Sequence, residues 1–502
     1  MPRLLGSRAE ENGLHYRRKL RVCRRFAHVS ESERLFAMAK TPFTICVVGG
    51  GFTGAATAIA CLNRIHAPFR LVMVESGASL GRGVAYGSHH PLHLLNVRAR
   101  DLSIRADQPA DFLNWAFRHL DQGENHAALH EALAHAFLPR QLFGEYVRQR
   151  LFEFVAKRSD VTFSVVNGVA TACIAEAGRY RVALGKAAPA MADIVFLATA
   201  YGLGGPSTNG ALQPFETMPP GRFARARTIA IIGSGLTMAD VLLSARRDGF
   251  QGTANIVSRR GQLPRSHAPQ GVVPQQVALP RSKHVSMLAA ANRLACEMAE
   301  EGGTPWQAII NGLRPSLQEV WQGLPVAEQS RFLRHLRPFW DSHRHRLPME
   351  IHARIMAEIA DGRAVLVRGS VKHVERDGRG FTLTLQLRGK PEPDFVVTDL
   401  AFDCSGFRPD LAQKLIASLL AQNLARPDAH NLGLAVEPDG RLLCGSGRPS
   451  AGLYAIGPLC QGTLWEITAV PEIVAQADRA ARGLMTRTQA ETHGNSARAV
   501  AG

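Results

Sequence analysis

The sequence predicts an α/β protein with two Rossmann-like dinucleotide-binding units and a helical insertion in the second. Three observations carry this. Residues 44–75 (TICVVGGGFTGAATAIACLNRIHAPFRLVMVE) and 228–261 (TIAIIGSGLTMADVLLSARRDGFQGTANIVSRRG) each run from an apolar strand through a glycine turn and a helix into a second apolar run. Two further apolar strands, within 191–202 (MADIVFLATAYG) and 396–406 (VVTDLAFDCSG), end in small residues, as segments passing close to a ligand would. A last short strand, Leu453 to Ile456, meets Gly457 and is followed by a helix expected from about Thr468 to Ala481.

In the first unit, Ile45 to Val48 is the strand, and Gly49, Gly51 and Gly54 stand at GxGxxG spacing. The first glycine makes the tight turn, the second lets the backbone approach a pyrophosphate, and the third lets the helix pack close to the strand. Phe52 and Thr53 open a helix whose free N–H groups and positive dipole end suit phosphates. Small residues follow (Ala55, Ala56, Ala58, Ala60), and the second strand, Leu71 to Val74, ends in Glu75, placed to accept hydrogen bonds from ribose hydroxyls. Strand, glycines, small-residue helix, strand and acid in this order are far more specific than the glycines alone.

The 502 residues suffice for two or three domains, and 46% hydrophobic with 20% charged residues is ordinary globular composition. No apolar run approaches the ~18 residues of a membrane span. The eight cysteines are scattered without a CxxC pair or zinc-like spacing, which fits a reducing, cytoplasmic setting and argues against disulfide reductase chemistry. The formal charge is +17, of which residues 1–37 carry +5 through nine Lys/Arg and four Glu. No helix-turn-helix, zinc-finger or aromatic RNA-binding signature supports a nucleic-acid partner. Residues 1–37 are Arg-rich, but their four glutamates spoil the pattern of a targeting peptide. Met38 begins MAKTPFTICVVGGG, a natural start for such a strand, so 1–37 is expected to be an over-extended reading frame or a disordered tail.

After the first unit, Gly77, Gly81, Gly83 and Gly87 indicate tight loops beside a ligand. His89, His90 and His93 lack both helical zincin spacing and an acidic partner, so they are expected to be loop and cofactor-contact residues rather than metal ligands. Asn96 follows two leucines beside these loops, where an uncharged amide is placed to hydrogen-bond a cofactor. A helix is expected from Pro139, with Leu142, Phe143, Tyr146, Val147 and Leu151 at helical spacing. Alternation over 161–187 reads as an antiparallel accessory sheet.

In the second unit, Ile229 to Ile232 is the strand, and Gly233 and Gly235 precede Leu236 and Thr237 at the helix start. Met238 takes the third glycine position, which is expected to hold the helix slightly away. Glu75 stands 26 residues after Gly49; the same step from Gly233 reaches Arg259, between Ser258 and Arg260. Arginines there bind a 2′-phosphate by charged, often bidentate hydrogen bonds, so the second site is expected to prefer NADPH over NADH. Residues 262–360 turn largely helical, with Trp306, Ile309, Ile310 and Leu313 on one face and Phe332, Leu333 and Leu336 on another. The run FWDSHRHRLP brings together Asp341, His343, Arg344, His345 and Arg346, either an anion pocket or a basic helix end.

From about residue 42 to 485 the arrangement resembles flavoproteins with two dinucleotide-binding domains. GRGVAY, HLLNV, IGSGLTMAD, SRRGQLPRSH, FWDSHRHR and LWEITAVPEI resemble bacterial FAD/NAD(P)-binding proteins related to FAD-dependent urate hydroxylases and aspartate N-oxygenases. DLSIRADQPADFLNWA and LPRQLFGEYV are similar to stretches of ornithine and lysine N-hydroxylases. The resemblance implies FAD in the first unit and NADPH in the second, with Gly457 and Thr468 at the flavin. It implies a monooxygenase in which NADPH reduces FAD, reduced FAD captures O2 at C4a, and a small nitrogen-containing metabolite is oxygenated. Asn96 is then the expected hydrogen-bond donor at the flavin, and Arg98, Arg100, His343 and Arg344 are candidates for an anionic group of the substrate. Two departures stand out: Gly457 is followed by Pro458 where the group has aspartate, and the crossover strands end in Ala198-Thr199-Ala200 and Cys404-Ser405-Gly406. Two other readings stay open, an NADPH-dependent FAD oxidoreductase without oxygen transfer and an FAD-bound scaffold or regulator. The expected division is a basic extension at 1–40, FAD-binding parts at 41–205 and 396–485, an NADPH-binding domain at 206–395 with its insertion at about 270–360, and a disordered tail at 486–502.

Overall fold

The computed structural model describes residues 43–77, 80–88, 90–120, 126–201, 210–216, 218–268, 272–275, 305–406 and 410–500, with side chains to 485. The N-terminal extension and residues 276–304 of the insertion lie outside the described residues.

Strands β1 (Thr44–Val48), β2 (Arg70–Glu75) and β3 (Thr162–Asn167) lead into a three-stranded meander, β4 (Ala172–Glu176), β5 (Arg179–Leu184) and β6 (Ala187–Ala192), and then β7 (Ile194–Leu197). The second unit supplies β8 (Thr228–Ile232), β9 (Thr253–Ser258), β10 (Ala364–Arg376), β11 (Phe381–Leu387), β12 (Asp394–Thr398) and β13 (Leu400–Asp403). The chain returns through β14 (Arg441–Leu443) and β15 (Pro449–Ala455).

One six-stranded sheet has the order β14-β15-β7-β1-β2-β3, and its five strands from β15 to β3 are parallel. Every residue of β1 and β7 is buried, as expected of central strands covered on both faces. The helix Phe52–Arg64 lies against this sheet with Ala55, Ala56, Ala58 and Ala60 all buried, and the helices Arg140–Ala156 and Val470–Val500 pack beside it. The second sheet has the order β12-β11-β10-β9-β8-β13, parallel from β10 to β13 and antiparallel beyond. The insertion is the crossover between β9 and β10. Its helices bury Ile310, Leu313, Leu317, Trp321, Phe332 and Trp340 with Trp465 of the C-terminal segment.

Three expectations are corrected. β3 pairs in parallel with β2, so only β4–β6 form the antiparallel accessory sheet. An edge strand with one wet face alternates like an antiparallel one, so the pattern alone does not separate them. β13 pairs with β8, Leu400 opposite Ile229, so the second unit runs to Cys404 rather than ending at 395. Four buried residues read the same in either sheet. The tail expected from 486 is instead the continuation of the Val470–Val500 helix, consistent with its Ala, Arg, Gln and Glu content.

The two units are joined by a forked ion pair. Arg140 Nη1 and Nη2 donate to Asp240 at 2.7 and 3.3 Å, and Arg140 Nε donates to the Leu94 carbonyl at 3.0 Å. Burial pushes the Asp240 carboxyl above its usual range despite Arg140. Arg140→Met leaves that carboxylate buried and unpaired, an expected loss of about 3 kcal/mol. A raised carboxyl pKa in the folded state makes the loss grow as pH rises through the carboxylate range. Thermal melts from acid to neutral pH check this, and Asp240→Asn in the same chain should recover part of the loss.

Candidate active site

The first glycine turn closes on backbone. Gly49 has φ +105°, and a Cβ there would lie 2.4 Å from the Ala198 carbonyl oxygen. A Cβ on Gly54 would lie 1.8 Å from the Gly49 carbonyl oxygen. These contacts are the tight turn and the close helix approach that the motif requires. Gly51 precedes the helix with no side chain capping its first turn, so the N–H groups of that turn are available to an anion. Glu75 Oε2 accepts the Gly50 N–H at 2.7 Å and Oε1 the Gly77 N–H at 2.8 Å, which holds its carboxylate against the turn. A dinucleotide fits this set: open helix N–H groups beside an anchored acid.

Gly457 arrives at the same helix start. Its φ is +80°, and a Cβ there would lie 3.0 Å from Thr53 Cγ2. Its N–H donates to Gln476 Oε1 at 2.8 Å, and Gln476 is fully buried. With Pro458 in place of a carboxylate, Gln476 holds the end of β15; a lone polar residue within an apolar helix face is the signal that marks it.

The second turn borders open space. Gly233 has φ +104°, and a Cβ there would lie 2.3 Å from the Cys404 carbonyl oxygen, whereas a Cβ on Gly235 would meet nothing within 4 Å. Met238 is fully buried at the third position. Ser234 Oγ donates to the Gln262 carbonyl at 2.5 Å and lies 2.9 Å from Ser258 Oγ, tying the turn to the end of β9. A cavity of about 720 Å³ runs from Gly233, Gly235, Leu236 and Thr237 past Ser258, Arg259 and Arg260 to Trp465 and Thr468. A second, of about 920 Å³, shares Arg259, Arg260 and Arg337 and adds Arg334 and Arg388. Arg260 stacks on Phe339 and donates to the Arg334 carbonyl at 3.1 Å, whereas Arg259 is exposed. Arg334, Arg337 and Arg388 escaped sequence reasoning, because no motif spacing links them to the glycine turn.

Asn96 and the four substrate candidates each have protein partners. The Asn96 carbonyl accepts the His267 Nε2–H at 2.8 Å. Arg98 donates to the His135 and Ala268 carbonyls, each at 2.7 Å, with its guanidinium over Phe137. Arg100 is exposed and lies 3.3 Å from His135 Nε2. His343 Nδ1 donates to the Phe339 carbonyl at 2.8 Å, and its ring meets Trp306 edge-on. Arg344 Nε lies 2.9 Å from Glu466 Oε2, an ion pair with both side chains buried. Glu466 also accepts the Trp340 indole N–H at 2.7 Å. Burial alone would raise the Glu466 carboxyl, but Arg344, His345 and that N–H hold it below its usual range. Thus Arg98 and Arg344 are already engaged. His90 and His93 stack at 4.5 Å, and burial lowers each to about 4, so both are neutral near pH 7. His93 Nε2 lies 2.8 Å from Ser244 Oγ of the second unit, which makes this loop a joint between units. His89 lies outside the described residues.

The fold and the two turns define the class first: residues 46–202 match a protein-family model described as FAD-NAD(P)-binding. Solved structures extend the likeness to nearly the whole chain. Ornithine hydroxylase from Pseudomonas aeruginosa, in its reduced form, is 16% identical with a TM-score of 0.58, covering 89% of this chain and 99% of its own. The ornithine N-hydroxylase of Kutzneria sp. 744, solved with reduced FAD, NADP+ and L-ornithine, is 15% identical with a TM-score of 0.59, covering 89% and 100%. L-lysine 6-monooxygenase from Pseudomonas syringae is 14% identical with a TM-score of 0.56, covering 89% and 99%. At these identities the shared property is the fold. No curated protein matches the sequence. Among the described residues, no helix is long and apolar enough to cross a membrane.

Proposed function

We propose that this protein is an NADPH-dependent FAD monooxygenase acting on a small nitrogen-containing metabolite. The observation that carries the reading is the cavity joining the second glycine turn to Trp465 and Thr468, on the segment that follows Gly457 at the first helix start. A cavity that runs from the second glycine turn to the segment following Gly457 suits hydride transfer between two bound dinucleotides. The N-hydroxylating monooxygenases that share the fold support the choice of oxygen transfer as the outcome.

The chemistry supplied by bound FAD is hydride acceptance and oxygen activation. The rest belongs to the chain. The helix start at Gly51, Phe52 and Thr53 holds the FAD pyrophosphate, and Glu75 fixes its ribose. The Gly233–Thr237 turn holds the second pyrophosphate. Ser258, Arg259 and Arg260 take the 2′-phosphate and so select NADPH. The buried Trp465 and Glu466, the latter paired with Arg344, wall the cavity, which limits water at the reacting centre. Asn96 offers an uncharged amide as the hydrogen-bond donor there.

The test is an oxygen balance. FAD-loaded protein is supplied with NADPH, isotopically labelled dioxygen and a panel of amines, amino acids and nitrogen heterocycles. At least one compound should carry labelled oxygen and lower the peroxide released per NADPH consumed. Peroxide equal to NADPH consumed across the panel would leave a reductase or oxidase in its place.

A further inference from the structure

Four arginines and a histidine gather between Asn96 and the wall of the cavity. Two of the arginines have acids: Arg344 pairs with Glu466, and Arg314 Nη2 donates to Glu472 at 2.7 Å. Arg98 is held by two carbonyls. Arg346 has no acid among the described residues. It is 3% exposed, its guanidinium lies 5.5 Å from the Trp306 ring centre, Nη2 donates to Asn311 Oδ1, and Nε has no hydrogen-bond partner among the described residues. Burial, reinforced by Arg344, Arg314 and Arg98, lowers its pKa to about 9, so it remains a cation near pH 7. His267 beside it is driven to about 3 by burial and by Arg346, so it adds no charge and keeps its N–H on Asn96.

A buried cation without a counter-charge is costly, and proteins retain one where a ligand supplies the charge. The position fits that purpose. His345, next in the chain, and Ser342 line the cavity, as does Pro264, three residues before His267. We infer that Arg346 is the anion-recognition residue of the substrate site, and that it takes the carboxylate of a small organic acid. The planar guanidinium suits a carboxylate, Trp306 supports one of its sides, and Asn311 fixes its orientation. Calling this anion the substrate rests on the monooxygenase reading; its binding does not.

The test is a thermal-shift and calorimetric titration of the full-length, FAD-loaded protein without NADPH. The probes are acetate, succinate and benzoate, each against the matching amide. At least one carboxylate should bind and raise the melting temperature while its amide does not. Arg346→Met should weaken that binding on the order of 100-fold, Arg346→Lys should keep part of it, and ligand-free Arg346→Met should melt at or above wild type. No Arg346-dependent carboxylate response would overturn the inference, and so would loss of FAD from Arg346→Met, which would make Arg346 a cofactor contact. Because no turnover is read, binding without oxygenation leaves the site standing and removes only the proposed reaction.

Discussion

Gly54→Ala is expected to yield a protein that retains no flavin and melts far below wild type. Elsewhere in a helix, Gly→Ala gains about 1 kcal/mol of propensity. At Gly54 the sign reverses, because the added methyl would stand 1.8 Å from the Gly49 carbonyl oxygen. That atom belongs to the turn itself, which is pinned by the Gly49 N–H to the Val74 carbonyl at 2.9 Å. The helix must therefore withdraw, at an expected cost on the order of 3 kcal/mol or more, and its N–H groups move away from the pyrophosphate. Gly235→Ala is the contrast, since a Cβ there meets nothing within 4 Å and its φ is −84°. It should fold normally and lose only nucleotide affinity at the second site. Flavin content per chain and the melting temperature of both variants check the pair.

Arg259→Glu is expected to weaken NADPH binding on the order of 100-fold and to leave NADH binding unchanged or improved. A charge-assisted bond to phosphate is worth about 1.5–3 kcal/mol, and the new carboxylate adds repulsion. Arg259 suits the phosphate because it is exposed at the junction of both cavities. Arg260 is partly committed to Phe339 and the Arg334 carbonyl, so Arg260→Glu also disturbs the insertion and is the less clean variant. Titration of both nucleotides at two ionic strengths checks the effect, since the NADPH contribution should shrink with salt. Equal losses for NADPH and NADH would place Arg259 away from the 2′-phosphate.

What was legible in the sequence was backbone chemistry. Gly49, Gly54 and Gly233 are dictated by contacts within their own strand–turn–helix units and the strand beside them, so spacing alone marks them. The Glu75 and Arg259 positions follow from the length of the same unit. Contacts made by distant segments left no such trace. Arg334, Arg337 and Arg388 reach the second cavity from the insertion and from beyond β11. The run at 341–346 was visible as a basic cluster, but how its arginines are engaged depends on Glu466 and Asn311, which lie far off in the chain. β13 was recognisable as a buried strand, while its partner β8 was settled by tertiary pairing.

In the proposed reaction, NADPH at the second site reduces FAD at the first, and oxygen then reaches a substrate. Anaerobic mixing of the FAD-loaded protein with NADPH, followed by mixing with O2 while the flavin spectrum is recorded, probes both halves at once. NADPH should bleach the flavin, and NADH should do so far less well. O2 should then produce a transient spectrum distinct from oxidised and reduced flavin, lengthened by bound NADP+. A flavin that NADPH does not bleach would contradict the proposal. So would immediate return to the oxidised spectrum with full peroxide release, under every substrate condition tested.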